Sequence, residues 1–87
     1  MNISVEISYY PLTNSFENPI NEFIEEISLN KKITFEVGQM STIISGNYHD
    51  VMQLISSTIE NMMAKYPSVF NLKISNACEL KTHPKNQ

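Results

Sequence analysis

The chain has 87 residues, a formal net charge of −3 and six cationic side chains, every one a lysine. With neither a basic stripe nor arginine for base edges, nucleic acid is excluded as a partner, and a phosphate clamp loses its usual bidentate donor. The single cysteine, Cys78, rules out an internal disulfide. No stretch reaches the roughly 20 apolar residues that cross a bilayer, and the first residues lack the basic and apolar regions of a signal peptide, so the expectation is a cytoplasmic protein off the membrane.

This length predicts one domain over residues 1–87. A chain this small buries only about 60% of its unfolded surface, so association with further copies of itself would help to stabilise it.

Residues 2 to 10 alternate, with Ile3, Val5, Ile7 and Tyr9 on one side and Ser4, Glu6, Ser8 and Tyr10 on the other. That is a strand with one buried face, ended by Pro11. Residues 11 to 18 read as a loop. Asn18-Pro19 predicts a helix entry, with Asn18 as cap and Pro19 at the first helical position. Ile20, Phe23, Ile24 and Ile27 form its apolar stripe; Glu22, Glu25 and Glu26 fall on the outer face. Asn30 suits a left-handed helix end.

Ile33 to Val37 alternates again, and Gly38-Gln39 fits a two-residue type II′ hairpin loop. That loop predicts Val37 opposite Met40, Phe35 opposite Thr42 and Ile33 near Ile44, with Ile33, Phe35, Val37, Met40, Thr42 and Ile44 on one face. Thr34, Glu36, Ser41, Ile43 and Ser45 fall on the other. Asn47 caps a second helix over about Tyr48 to Lys65, with Asp50 in its first turn. Its stripe is Val51, Leu54, Ile55, Thr58, Ile59 and Met62, and Pro67 closes it. Val69 to Ser75 is a last strand, with Phe70, Leu72 and Ile74 inward; residues 77 to 82 have room for a short extra strand.

The order β-α-β-β-α-β places two one-sided helices against a four-stranded antiparallel sheet. They must share one face, which is the ferredoxin-like α+β sandwich. The other face carries Ser4, Glu6, Ser8, Thr34, Glu36, Ser41, Ile43, Asn71, Lys73 and Ser75, and is either solvated or packed on a partner sheet.

Motifs for catalysis are not found: there is no phosphate loop and no nucleophile elbow. Cys78, Glu79 and His83 lie close in sequence, but without the spacing of a metal site. Glu6 is the acid of interest, either a solvated carboxylate or an anchor for a cationic or amine-bearing ligand. Tyr9, Tyr10 and Phe16 flank the first loop as candidates for an aromatic wall. The hydroxyls of Ser41 and Thr42 read as hydrogen-bonding groups, not nucleophiles.

Two stretches, Ser4-Val5-Glu6-Ile7-Ser8-Tyr9-Tyr10-Pro11-Leu12 and Gly38-Gln39-Met40-Ser41-Thr42-Ile43-Ile44-Ser45-Gly46-Asn47 with Asp50-Val51-Met52, resemble the small thiamine-binding protein family. The resemblance implies a ferredoxin-like fold with an extra C-terminal strand, assembling into dimers or tetramers through its sheets. It also implies non-catalytic binding of thiamine or its hydroxymethylpyrimidine moiety, in thiamine salvage or homeostasis, with no cofactor and no metal. Carried over by position, the pocket residues are Glu6, Ser8, Tyr10, Met40, Ser41 and Thr42. The alternative is a regulatory or structural oligomerisation module of the same fold without a thiamine site.

Overall fold

The computed structural model describes residues 1–15 and 17–77. Strand β1 (Asn2–Pro11), helix α1 (Glu17–Ser28), strands β2 (Thr34–Val37) and β3 (Thr42–Asn47), helix α2 (Tyr48–Lys65) and strand β4 (Ser68–Ser75) follow one another. The four strands form one sheet in the order β2-β3-β1-β4, and every neighbouring pair is antiparallel. This is the expected ferredoxin-like α+β arrangement.

Strand alternation and the helical stripes meet in one layer. Ile3, Val5 and Ile7 from β1, Ile44 from β3, Phe23 and Ile27 from α1, and Val51, Leu54, Ile55 and Met62 from α2 are all buried. Burying an aliphatic or aromatic side chain of this size contributes about 1.5–3 kcal/mol each. Tyr9 extends the layer outward, stacked on Phe70 at 4.3 Å between ring centroids and tilted against Phe23 at 5.3 Å.

Helix α2 starts as the sequence predicts. Asn47 is extended, with φ −66° and ψ 143°, and its side chain accepts the His49 N–H at 3.0 Å. Helix α1 starts at Glu17, one residue before the expected cap. Pro19 remains in the first turn, where a missing N–H leaves no hydrogen bond unmade. The acidic side of α1 is less solvated than its pattern suggests. Glu22 accepts from Tyr66 Oη at 2.8 Å and Lys65 Nζ at 3.2 Å, and Glu26 accepts from Asn61 Nδ2 at 2.8 Å, so only Glu25 of the three carboxylates stands clear of α2.

The hairpin between β2 and β3 departs from the expected register. Val37 pairs with Thr42 and Phe35 with Ile44, not with Met40 and Thr42. Gly38 N–H donates to Ser41 O at 2.8 Å, which puts the tip at Gln39-Met40. Gly38 lacks the positive φ of the expected type II′ turn. The physical reason lies at the far end of the hairpin, where Ile33 sits over Gly46. A Cβ on Gly46 would meet Ile33 Cγ2 at 3.2 Å and Val51 Cγ2 at 3.3 Å. The expected register would instead place Ile33 opposite Ile44, away from the space that Gly46 leaves for it. A shift of two residues keeps side chains on their faces, so the division into a helix side and an open side survives.

Coverage by the helices stops short of β2. Every residue of β2 is exposed, with Phe35 at 38% and Val37 at 51%. Ile74 points to the helix side opposite Val5, yet it is exposed at the end of β4. Of the extra strand expected over 77 to 82, all but Ala77 falls outside the described residues.

Candidate functional site

The antiparallel registers assemble the open face in rows across the sheet. One row runs Thr34, Ser45, Ser4, Ser75; the next runs Glu36, Ile43, Glu6, Lys73. Beyond them Ser8 pairs with Asn71 and Tyr10 with Val69. Ser4 Oγ and Ser45 Oγ share a 2.7 Å hydrogen bond.

Glu6 is the hub of this face. Its Oε2 accepts the Ser41 hydroxyl at 2.8 Å, and its Oε1 lies 4.0 Å from Lys73 Nζ, an ion pair whose lysine is 81% exposed. An exposed pair at that distance contributes about 0–1 kcal/mol, so Lys73 is free to swing away, whereas the short Ser41 bond fixes the carboxylate. Ser41 reaches Glu6 because the chain turns at Gln39-Met40: Ser41 begins the return toward β3 with its side chain on the open side. Glu36 shares the row with Glu6 but stands two strands away, roughly 10 Å, with Ile43 between them.

Around this hub lies a hollow of about 340 Å³, lined by Glu6, Ser8, Tyr10, Met40, Ser41, Asn71 and Lys73. Five of the six residues singled out from the sequence therefore converge. The sixth, Thr42, does not join them. It is buried on the helix side, in a narrower cleft of about 110 Å³ that includes Tyr9 and Phe23. Met40 and Ser41 line both spaces, so the hairpin tip is the wall between them. Of the three aromatics considered for a wall, Tyr10 is on the open face; Tyr9 is committed to the core, its hydroxyl 3.2 Å from Ser68 Oγ. Phe16 lies outside the described residues, as do Cys78, Glu79 and His83.

Sequence reasoning put Asn71 and Lys73 on the open face without assigning them to the site. The signal was present in the alternation of β4, but their meeting with Ser8 and Glu6 depends on the β1–β4 register. A second hollow of about 350 Å³ lies on the other flank of Glu6 and Lys73, lined also by Ser4, Ile43 and Ser75. Among the described residues, no group of three or more His, Cys, Asp or Glu side chains comes together as a metal site. Among the same residues, no helix is long and apolar enough to cross a membrane.

Chemically, the hollow between Glu6 and the hairpin tip offers a fixed carboxylate, the Lys73 ammonium, hydroxyls, an amide, an aromatic face and an 88% exposed methionine. With Lys73 swung aside, such a set is suited to a small cation or an amine by charge, hydrogen bonds and ring contact.

Fold and site together define a small ferredoxin-like domain with a carboxylate-centred polar sheet face. The chain belongs to the thiamine-binding protein family, whose model matches residues 5–85. Among solved structures, it is similar to a Thermotoga maritima protein provisionally assigned to thiamine biosynthesis/salvage, at 21% identity, a TM-score of 0.80, and coverage of 94% of this chain and 96% of that one. A Streptococcus pneumoniae protein is similar at 18% identity and a TM-score of 0.81, over 95% of this chain and 100% of that one. A domain of unknown function from Bacillus cereus matches at 16% identity and a TM-score of 0.75, over 94% and 88%. At these identities the likenesses establish the fold. Among curated proteins, none matches the chain significantly.

Proposed function

We propose that the protein binds thiamine, or its hydroxymethylpyrimidine moiety, without turning it over, and serves thiamine salvage or homeostasis as a homo-oligomer joined through its open sheet face. The observation that carries this reading is the Glu6 carboxylate, held by Ser41 at 2.8 Å in a hollow shared with Ser8, Tyr10 and Met40. Membership of the thiamine-binding family supports the ligand class.

The chemistry is complementary. Thiamine carries a thiazolium cation and an aminopyrimidine. A carboxylate accepts from the exocyclic amine or balances the cation, and an aromatic ring such as Tyr10 attracts a cation through its face, by about 0.5–1 kcal/mol where exposed. A charged hydrogen bond contributes about 1.5–3 kcal/mol, so Glu6→Gln is expected to weaken binding on the order of 10- to 100-fold. Titration calorimetry with thiamine and with hydroxymethylpyrimidine tests the proposal. Saturable binding weakened by Glu6→Gln supports it; no heat and no thermal shift with either compound overturns it, and leaves the oligomerisation module as the surviving reading.

A further inference from the structure

We propose that the Glu6 site selects ligands that carry a negative group on a short arm beside the positive one, a thiamine phosphate monoester above thiamine itself, and that Lys73 is the residue that selects them. The inference rests on the thiamine-binding reading and names which form of the ligand that same site prefers.

Two hollows of nearly equal size, about 340 and 350 Å³, flank the Glu6–Lys73 pair on the open face. Among the described residues that line them, Lys73 is the one cation, and it lines both. The first hollow adds Ser8, Tyr10 and Asn71; the second adds the hydroxyls of Ser4 and Ser75. The β1–β4 register sets their separation. Ser8 pairs with Asn71, Glu6 with Lys73 and Ser4 with Ser75. These rows lie two residues apart along the strands, so each stands roughly 7 Å from the next. The Glu6–Lys73 row is the boundary, and each hollow lies one row to its side.

Charge decides what fits there. Without a ligand, the carboxylate and the ammonium balance. Their contact is 4.0 Å long and the lysine is 81% exposed, so it is easily broken. A cation that docks on Glu6 takes up the carboxylate's charge and leaves the Lys73 ammonium unmatched, within roughly 7 Å of a second positive charge. That repulsion weakens binding on the order of 3- to 50-fold, for effective dielectric constants of about 80 to 20. Glu36 does not take over as the lysine's partner, because it stands three strands away in the sheet, roughly 14 Å.

A ligand with its own anion removes the penalty. In a thiamine phosphate the phosphate hangs from the thiazolium ring on a two-carbon arm, which separates cation and anion by about one row spacing. With the cation at Glu6 on the side of the first hollow, the phosphate reaches Lys73 and the Ser4 and Ser75 hydroxyls of the second. A phosphate monoester carries about −1.5 to −2 charge near neutral pH. Lysine meets it as a point charge, without the planar fork of arginine, and its flexible four-carbon stem lets the ammonium leave Glu6 and follow the phosphate.

Titration calorimetry with thiamine monophosphate, thiamine and inorganic phosphate, on the parent, Lys73→Gln and Ser75→Asp, tests this. The parent is expected to bind the monophosphate about 10-fold more tightly than thiamine. Lys73→Gln is expected to reverse that order, weakening the monophosphate about 10-fold and tightening thiamine several-fold by removing the unmatched charge. Ser75→Asp puts a carboxylate into the second hollow and is expected to act in the same direction with Lys73 in place. Inorganic phosphate is expected to give no saturable heat at concentrations that saturate the monoester, because it lacks the cation that Glu6 holds. Glu6-dependent thiamine binding that ignores Lys73→Gln, with the monophosphate no tighter, overturns selection by Lys73 and leaves the thiamine reading standing. Inorganic phosphate binding as tightly as the monoester overturns it too, since such an anion site works without Glu6. No heat from thiamine, hydroxymethylpyrimidine or the monophosphate overturns both readings. Far-UV circular dichroism confirms folding of each variant, and the 81% exposure of Lys73 keeps Lys73→Gln clear of the core.

Discussion

Ile33 lies against Gly46, so close that a Cβ on Gly46 would come within 3.2 Å of its Cγ2. The contact sets the hairpin register from the end away from the turn. Gly46→Ala is expected to destabilise the protein by about 1–3 kcal/mol through overpacking. In a domain of this size each kcal/mol moves the melting temperature by roughly 4–8 °C. A melt of Gly46→Ala indistinguishable from that of the parent would show that Ile33 and Val51 yield freely.

Ser41 acts on the candidate site through Glu6. Ser41→Ala leaves the charge in place and removes the bond that orients it. Binding of thiamine is expected to weaken several-fold, less than for Glu6→Gln, with little change in melting temperature because Ser41 lies at the hairpin tip. Calorimetry of the two variants side by side reads the order; Ser41→Ala binding as tightly as the parent would remove the positioning role.

Thr58 lies on the buried face of α2 at 1% exposure, and its Oγ1 has no hydrogen-bond partner among the described residues. A buried hydroxyl without a partner costs about 1–3 kcal/mol. Thr58→Val keeps the shape and removes that cost, so stability is expected to rise by about 1 kcal/mol, measured by urea unfolding with an unchanged slope. A loss of stability would mean that the hydroxyl is satisfied in solution.

The clasp between the helices is sensitive to pH. Hydrogen bonds from Tyr66 and then Lys65 hold Glu22 below its ordinary value of 4.5. The same carboxylate raises Tyr66 and Lys65 above theirs. A lowered carboxylate contributes stability that is present above its unfolded value and lost as pH falls through the folded one. Raised Tyr66 and Lys65 contribute below their unfolded values and lose it as pH rises through the folded ones. The melting-temperature gap between the parent and Glu22→Gln is therefore expected to be widest near neutrality and to close toward acid and toward strong alkali. A gap that stays constant across this range would mean that the clasp does not form.

The fold was legible wherever one residue's polarity settled its side. Alternation in β1 and β4 and the stripes of α1 and α2 lead to the observed layer, and Asn47 marks the start of α2. Alternation also put Glu6, Ser8 and Tyr10 on the open side of β1, while their grouping with Ser41 as site candidates came from the family resemblance. The register of β2 on β3 was not legible, because Gly38 drew attention to the turn, while the decisive glycine was Gly46, opposite a residue 13 positions earlier in the chain. Thr42 shows the limit of reading a stretch as a unit. Its neighbour Ser41 faces the hollow, and one step along a strand reverses the side.

The sheet order also constrains how the molecule is made. Strand β1 emerges first, yet its two neighbours are β3 and β4, so its hydrogen bonds wait for segments synthesised much later. A chain released short of Ser68 would have its most buried strand closed on only one flank. Assembly of this sheet is therefore expected to be a late event in translation, limited by bringing distant segments together rather than by forming its helices.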